Sequence, residues 1–344
     1  MNRSSHVFAA AVAVVAIAAQ IEGQRRRPPF EPPPITGAQS PAEMTAALDA
    51  YLTQLAAEDK FAGVVLVARG RTQVFERAYG LADRSNNIPI TTATRFNLSS
   101  LGKQFTSAAI DQLVAAGKLT RADTLGEILP DYPNEQAKIA TVQQLLDHRA
   151  GIADFFGEAF DARPKSGFRS NADYFAFVAP QPLLFAPGSE ERYCNGCYVV
   201  LGEVIARVSG VSYEAYLAQH VFGPAEMRST AFASTDAILP NIAIGYTRRA
   251  PDAGGELRAN TFTRGAAGSG AGGVFATAAD LLAWVHAGPN VRPDTEMGDM
   301  AIAGGSPGSA TAIEQREPWT VIALSNLDPP SADVAAAIMR QLAR

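Results

Sequence analysis

The chain has 344 residues, of which 47% are hydrophobic and 18% charged, and its formal net charge is -5 at pH 7. This composition is ordinary for a globular protein, and the length suits one large domain or two small ones. The mild negative charge, with no basic run beyond residues 25–27, excludes the electrostatic signature of a nucleic-acid-binding protein.

The beginning of the chain has the features of an export signal. Arg3 precedes an apolar run over residues 7–19, and the small residues Ala16 and Ala18 are placed as at a cleavage site. A membrane anchor is the alternative, but the run is shorter than the roughly 20 residues that a bilayer span needs. Basic residues just after the run oppose translocation and count against export. We predict a signal peptide over residues 1–20, a periplasmic or secreted protein, and no stable membrane span after cleavage.

Residues 21–41 are rich in proline and show no hydrophobic period. Such a composition predicts an extended linker outside the core. The folded domain is therefore expected over residues 42–344.

Hydrophobic periodicity predicts the order of the helices and strands in this domain. Helices are expected over residues 41–57, 99–117, 198–208, 277–285 and 331–342. Runs of β-forming residues predict a hairpin over residues 63–68 and 72–79, and a strand over residues 319–325. Because strands occur at both ends with helices between them, we predict an α/β (α+β) fold. Its antiparallel sheet would be built from both chain ends, flanked by helices, with an inserted, mainly helical subdomain.

The first chemical motif is Ser-x-x-Lys, formed by Ser100 and Lys103 at the start of an apolar helix. Residues three apart share a helix face, so the Lys103 amine can reach the Ser100 hydroxyl. Burial can lower the amine's pKa and make it a base, and free N–H groups at the helix start can stabilise an oxyanion. The alternative is a capping serine followed by a solvated lysine.

The second motif is Tyr193-Cys194-Asn195, just before another apolar helix. A phenolate can act as a general base where nearby lysine charge lowers its pKa, and the Asn195 amide offers a substrate both a donor and an acceptor. The alternative is a core tyrosine and a capping asparagine.

The third motif is the glycine-rich stretch GGSPG, which begins with Gly304 and Gly305. Glycines allow close backbone approach to a ligand, so this stretch can complete an oxyanion site. A plain turn is equally compatible.

Taken in order with their flanks, these motifs resemble the penicillin-binding-protein-like serine hydrolases: class C β-lactamases, family VIII esterases and DD-peptidases. The resemblance runs from about Phe61 to Asn326. The matching stretches are FAGVVLVARGRTQVFERAYGLAD, TRFNLSSLGKQFTS, AAGKLTRADTLGEILPDYP, QQLLDHRAGI, FAPGSEERYCNGCYVVLGEVI, GGVFATAADLLAWV and GGSPG. Ser-x-x-Lys is itself a signature of these serine enzymes.

The resemblance implies a mechanism through an acyl-enzyme. Ser100 would attack a carbonyl, and Lys103 and Tyr193 would share its deprotonation and the protonation of the leaving group. Asn195 would hold the substrate, and Gly305 would supply the second oxyanion N–H beside that of Ser100. No cofactor is implied, and the partners would be small ester, amide or peptide substrates.

The third motif departs from the family pattern, which is Lys-Thr-Gly or His-x-Gly. Aligning backward from GGSPG places Ile302, Ala303 and Gly304 there, so the cation is missing. In the family this cation gives a positive field near a substrate carboxylate, so its loss favours ester or amide substrates without an obligatory carboxylate. The segment 281–303 is also short for the family, which predicts the loss of a sheet strand.

The remaining candidate ligands give weaker signals. Cys194 and Cys197 are compatible with two free thiols, with a structural disulfide, or with a redox or metal pair, although the βαβ context of redox motifs is absent. We interpret His148 as a structural hydrogen-bonding residue. The 4 histidines and 2 cysteines show no zinc-ligand spacing, so a metallo-hydrolase is not expected.

Three functions are compatible with these features. The preferred one is a serine hydrolase of esters or amides. The second is a peptidoglycan or D-amino-acid peptidase, or a weak β-lactamase, supported by the family and by export. The third is a catalytically impaired pseudoenzyme that binds ligands in the same cleft, because the third-motif cation is missing and the following segment is short.

Overall fold

The computed structural model describes residues 30–249, 254–288, 300–328 and 331–343. The predicted signal peptide lies outside the described residues. The helices are α1 Pro41–Ala57, α2 Lys103–Ala115, α3 Leu125–Ile128, α4 Val142–Leu146, α5 Glu158–Asp161, α6 Asn171–Val178, α7 Asn195–Ser209, α8 Tyr213–Leu217, α9 Ala278–Ala287 and α10 Ser331–Leu342. The strands are β1 Gly63–Arg69, β2 Thr72–Tyr79, β3 Leu81–Asp83, β4 Ile88–Pro89, β5 Phe96–Asn97, β6 Tyr246–Thr247, β7 Arg258–Ala259, β8 Phe275–Ala276, β9 Met300–Ser306, β10 Ser309–Arg316 and β11 Trp319–Ser325.

The main sheet has five strands in the order β2-β1-β11-β10-β9. Its first and last strands along the chain meet at the centre, where Gly63 of β1 pairs with Ser325 of β11 in an antiparallel register. The predicted sheet built from both chain ends is therefore confirmed, and so is the mixed helix and strand fold.

The central strands are buried on both faces because helices cover each side of the sheet. Val64 and Leu66 of β1 face the larger core cluster, whereas the alternate residues Val65 and Val67 face a second cluster with α1 and α10. Successive side chains of a strand point to opposite faces, so one strand serves both cores.

The larger core cluster also holds the helical region that positions the candidate site. Helix α2 packs against α7, and its Phe105 makes edge-to-face contacts with Phe222 and Trp284 at centroid distances of 5.2 Å. These buried aromatic contacts fix α2 against the rest of the body.

Several predicted elements match the structure closely. The helices over 41–57 and 331–342, the second hairpin strand and the strand over 319–325 have the predicted bounds. The helix predicted from residue 198 begins three residues earlier, because the Cys194 side chain accepts the Cys197 N–H and caps it there. Strands β9 and β10 were not predicted as a hairpin, since their alanine and glycine content weakens the β signal.

The linker prediction is wrong for its last part. Ile35 is only 1% exposed and belongs to the cluster beneath α1 and α10, because an apolar side chain in a proline-rich segment still gains from burial. The predicted loss of a strand from segment 281–303 falls largely on residues 289–299, which lie outside the described residues.

Candidate active site

Ser100 lies in a tight turn that leads directly into α2. The turn is a 3-10 helix over Ser99–Gly102, and Ser99 has a left-handed φ of +48°. The Ser99 N–H donates to Asn97 Oδ1 at 2.8 Å, while a Cβ on Gly272 would lie 2.0 Å from the Ser99 carbonyl oxygen. A hydrogen bond and a close glycine contact therefore hold the strained backbone just before Ser100.

Lys103 is buried one helical turn from Ser100, with 4% of its surface exposed. Its Nζ donates to Asn195 Oδ1 and to the Ala271 carbonyl, both at 2.7 Å, and to Ser100 Oγ at 3.4 Å. Burial lowers the pKa of the Lys103 amine to about 7, and the nearby Asp154 carboxylate opposes this shift. Both protonation states of the amine are thus populated near neutral pH.

Tyr193 reaches the same serine from the loop before α7. Its hydroxyl donates to Ser100 Oγ at 2.7 Å, and Lys103 Nζ lies 4.9 Å from the centre of its ring. Although the side chain is 54% exposed, desolvation in the cleft raises the pKa of Tyr193, and the hydrogen bond with Ser100 opposes this only in part. The expected lowering of this pKa by lysine charge does not occur, so the phenol is a proton donor at neutral pH.

Asn195 connects this cluster to a carboxylate. Its Oδ1 accepts from Lys103, and its Nδ2 donates to Asp154 Oδ2 at 2.8 Å. The side chain is 8% exposed. An amide has two N–H groups, so Asn195 retains one for a substrate.

The two cysteines form a disulfide with a Cα–Cα distance of 5.3 Å. This answers the question left open by the sequence in favour of a structural bond. The Cys194 N–H donates to His148 Nδ1 at 3.1 Å, and the His148 ring lies between Tyr193 and Tyr198 at centroid distances of 4.9 and 5.2 Å. His148 therefore has the predicted structural role and supports the loop that carries Tyr193.

Strand β9 forms the opposite side of the site. A Cβ on Gly304 would lie 2.5 Å from Leu101 N, so only glycine allows the strand to approach the turn this closely. Gly305 pairs with Ala310 one position from the two-residue turn of the hairpin. In an antiparallel ladder hydrogen-bonded and non-hydrogen-bonded pairs alternate, so the Gly305 N–H points away from β10. Ile302 lies on the face of Gly304 and packs against the core without supplying a cation.

A row of hydroxyl groups joins β9 to the turn of Ser99–Gly102, which we call the nucleophile turn. Ser99 Oγ donates to Ser309 Oγ at 2.9 Å, and Ser309 Oγ donates to the Asn97 carbonyl at 2.5 Å. Ser99 Oγ also lies 2.8 Å from Ser306 Oγ, which must then be the donor. The hairpin of β9 and β10 is thus tied directly to the residue before Ser100.

Ser100, Lys103, Tyr193 and Asn195 are predicted from the sequence, and in the structure their side chains lie together. Asp154 and the Ala271 carbonyl are not predicted from the sequence. Asp154 follows no periodic signal, and Ala271 contributes only backbone; the glycines of the surrounding GSGAGG stretch are the one signal that could have indicated a close backbone approach there.

No group of three or more histidine, cysteine or acidic side chains in the described part of the chain could hold a metal ion. Within the same ranges, no helix combines the length and hydropathy needed to cross a bilayer.

The chain is similar to known proteins in both sequence and structure. A family model described as Beta-lactamase matches residues 48–341. Penicillin-binding protein 4* from Bacillus subtilis (strain 168) is 30% identical over 185 residues, which are 53% of this chain and 40% of that protein. The match thus spans less than half of that relative's length.

Two further relatives are matched over more of their length. Esterase EstB from Burkholderia gladioli is 29% identical over 289 residues, covering 74% of this chain and 73% of that protein. The crystal structure of a penicillin-binding protein from Bacillus halodurans has a TM-score of 0.73 at 27% identity, covering 84% of this chain and 98% of the other.

Proposed function

The chain belongs to the beta-lactamase family, and from this premise we propose that it is a serine hydrolase that cleaves a carboxylic ester or amide through an acyl-enzyme. The observation that carries the proposal is the convergence of two proton-handling groups on one hydroxyl. Ser100 Oγ lies 3.4 Å from Lys103 Nζ and 2.7 Å from the Tyr193 hydroxyl. Nucleophilic serine catalysis requires a base within this reach.

The acylation step follows from the pKa directions. Neutral Lys103 accepts the Ser100 proton while Ser100 Oγ bonds to the substrate carbonyl carbon. Tyr193 gives its phenolic proton to the leaving group as the carbon–heteroatom bond breaks, and the protonated Lys103 then restores the phenol. Water attacks the acyl-enzyme in the second half-reaction, releasing the acid and Ser100.

The developing oxyanion needs donors that are already in position. The N–H of Ser100, at the start of the nucleophile turn, and the outward-facing N–H of Gly305 are proposed for this role. Loss of one such donor typically raises the barrier by about 2.7–4 kcal/mol. The close approach of β9 that Gly304 permits is therefore central to the proposal.

The side chain at position 302 supports ester or simple amide substrates. An isoleucine there supplies no positive field for a substrate carboxylate, which favours acyl groups and leaving groups without one. Similarity to Esterase EstB over 74% of the chain agrees with this preference.

The test is a Ser100→Ala variant assayed with a chromogenic ester. We expect turnover to fall about 10³-fold or more, because the variant retains only binding and oxyanion stabilisation. A fluorophosphonate probe should label the native protein at Ser100 and leave the variant unlabelled. Full activity in the variant, or no labelling of folded native protein, would contradict the proposal.

A peptidase acting on peptidoglycan or D-amino-acid peptides is the second candidate. It is favoured by similarity to two penicillin-binding proteins. Covalent labelling of Ser100 by a fluorescent penicillin would support it, whereas fast ester turnover without such labelling would not. The convergent geometry at Ser100 gives no support to the third hypothesis, an impaired pseudoenzyme.

We also propose that the protein is exported. The support is the signal-like composition of residues 1–20, together with the Cys194–Cys197 disulfide, a bond that persists in oxidising compartments. Secretion of a reporter fused after residue 20 would test this.

A further inference from the structure

A cavity lies beside the nucleophile turn, outside the cluster of side chains around Ser100. Its volume is about 240 Å³. Asn97 and Ser309 contribute to its lining, and Ser309 Oγ accepts from the hydroxyl of Ser99, the residue before Ser100. The cavity is therefore separated from the nucleophile turn by a single layer of side chains.

Arg264 brings a positive charge to this cavity. Its guanidinium carbon lies 5.1 Å from the centre of the Phe275 ring. Among the hydrogen bonds and ion pairs within the described ranges, none involves this guanidinium. Burial lowers the pKa of Arg264, yet an arginine keeps its charge in proteins.

Arg264 is partly buried, and a partly desolvated cation without a protein partner is stabilised by an anion that reaches it. The planar guanidinium matches a carboxylate in a paired, two-bond geometry, so a carboxylate is the anion that this side chain recognises best. A ligand that brings one would satisfy the donors that the protein leaves unused.

The other lining residues indicate the size and polarity of the rest of such a ligand. The walls are mixed, with aromatic and aliphatic side chains beside hydroxyl and amide groups. The apolar residues are Phe96, Leu239, Ile242, Ile244 and Phe275, and the polar ones include Thr235, Asn260 and Thr261. A cavity of about 150 Å³ accommodates benzene, so this larger one has room for a ring or short chain with a carboxylate head.

We propose that this cavity binds a small carboxylate with an apolar body, and that Arg264 pairs with the carboxylate head. The site is distinct from the acyl-transfer site and does not depend on the proposed reaction. It also differs from the third-motif position at Ile302, where no cation is available.

Calorimetric titration of the full chain with phenylacetate tests the proposal. We expect saturable binding, and much weaker binding of 2-phenylethanol, which has the same ring without a charge and cannot be hydrolysed. Arg264→Met should raise the dissociation constant for phenylacetate about tenfold or more, since it removes charge-assisted hydrogen bonds. Arg163→Met is the matched control, because Arg163 also lies over a phenylalanine ring, at 5.0 Å, but does not line the cavity.

The Lys103→Met variant distinguishes this site from the acyl-transfer site. Retained binding in Lys103→Met with loss in Arg264→Met supports the proposal. The reverse pattern, equal affinity for 2-phenylethanol, or no binding at millimolar phenylacetate overturns it. If Arg264→Met does not fold, the comparison of phenylacetate with 2-phenylethanol on the native chain still shows whether binding requires a carboxylate.

Discussion

Lys103 is a buried cation and Arg264 a partly buried one, and their surroundings are opposite. The Lys103 amine donates to three oxygen acceptors and has a carboxylate, Asp154, nearby. The Arg264 guanidinium has an aromatic ring and a cavity. Burial lowers the pKa of both, but only an amine can lose its proton near neutral pH. Desolvation therefore produces a base at Lys103 and a charge without a protein partner at Arg264.

Removing the amine at Lys103 should have the largest effect. We expect Lys103→Met to lower kcat/KM for a chromogenic ester by about 10²–10⁴-fold, the usual contribution of a positioned base. Lys165→Met is the matched control, because Lys165 Nζ also donates to three oxygen atoms, in its case backbone carbonyls, but lies outside the site. Equal losses in the two variants would show that Lys103 contributes no more to catalysis than a hydrogen-bonded lysine elsewhere in the protein.

The pH dependence should show which form of Lys103 reacts. The neutral amine is the base, so kcat/KM should fall about tenfold per pH unit as the pH drops below about 7, the pKa of Lys103. Asp154 raises that pKa, and Asp154→Asn should therefore move the acid limb of the profile to lower pH. If the acid limb of Asp154→Asn stays at the same pH while turnover is intact, Asp154 does not act through the pKa of Lys103.

The smallest effect is expected when Arg264 is replaced and the stability of the protein is measured. Arg264→Met should raise the free energy of unfolding by up to about 1 kcal/mol, since it removes a partly buried charge that has no protein partner and keeps apolar volume. Arg163 lies exposed on a similar ring, and Arg163→Met should change stability by less than about 0.5 kcal/mol. Urea denaturation measures both, and destabilisation by Arg264→Met would mean that the guanidinium has a favourable partner.

Local spacing explains what could be predicted from the sequence. The hairpin of β1 and β2, the helix α1 and the pairing of Ser100 with Lys103 all depend on residues within a few positions of each other. The meeting of Tyr193 with Ser100 was predicted only through the resemblance, because the two residues lie 93 positions apart. No local signal identifies Asp154, the Ala271 carbonyl or the charge environment of Arg264, since each depends on folding of distant segments.

The same reasoning explains the two misjudged segments. Ile35 belongs to a proline-rich stretch whose composition is typical of a linker, and its burial depends on contacts with both ends of the domain. The hairpin of β9 and β10 has few strong β-forming residues, and it is held by pairing with β11 and by the hydroxyl row rather than by its own propensity.

The hydroxyl row of Ser306, Ser99 and Ser309 has a consequence for the shape of the cleft. Short directional bonds connect the glycine strand to the nucleophile turn, so these two parts of the wall move together and keep a fixed separation. The facing wall carries Tyr193, half of whose side chain is in solvent, and it has more freedom to yield. A bulky substrate would therefore widen the entrance on the tyrosine side alone, leaving the distance between Ser100 and the Gly305 amide unchanged.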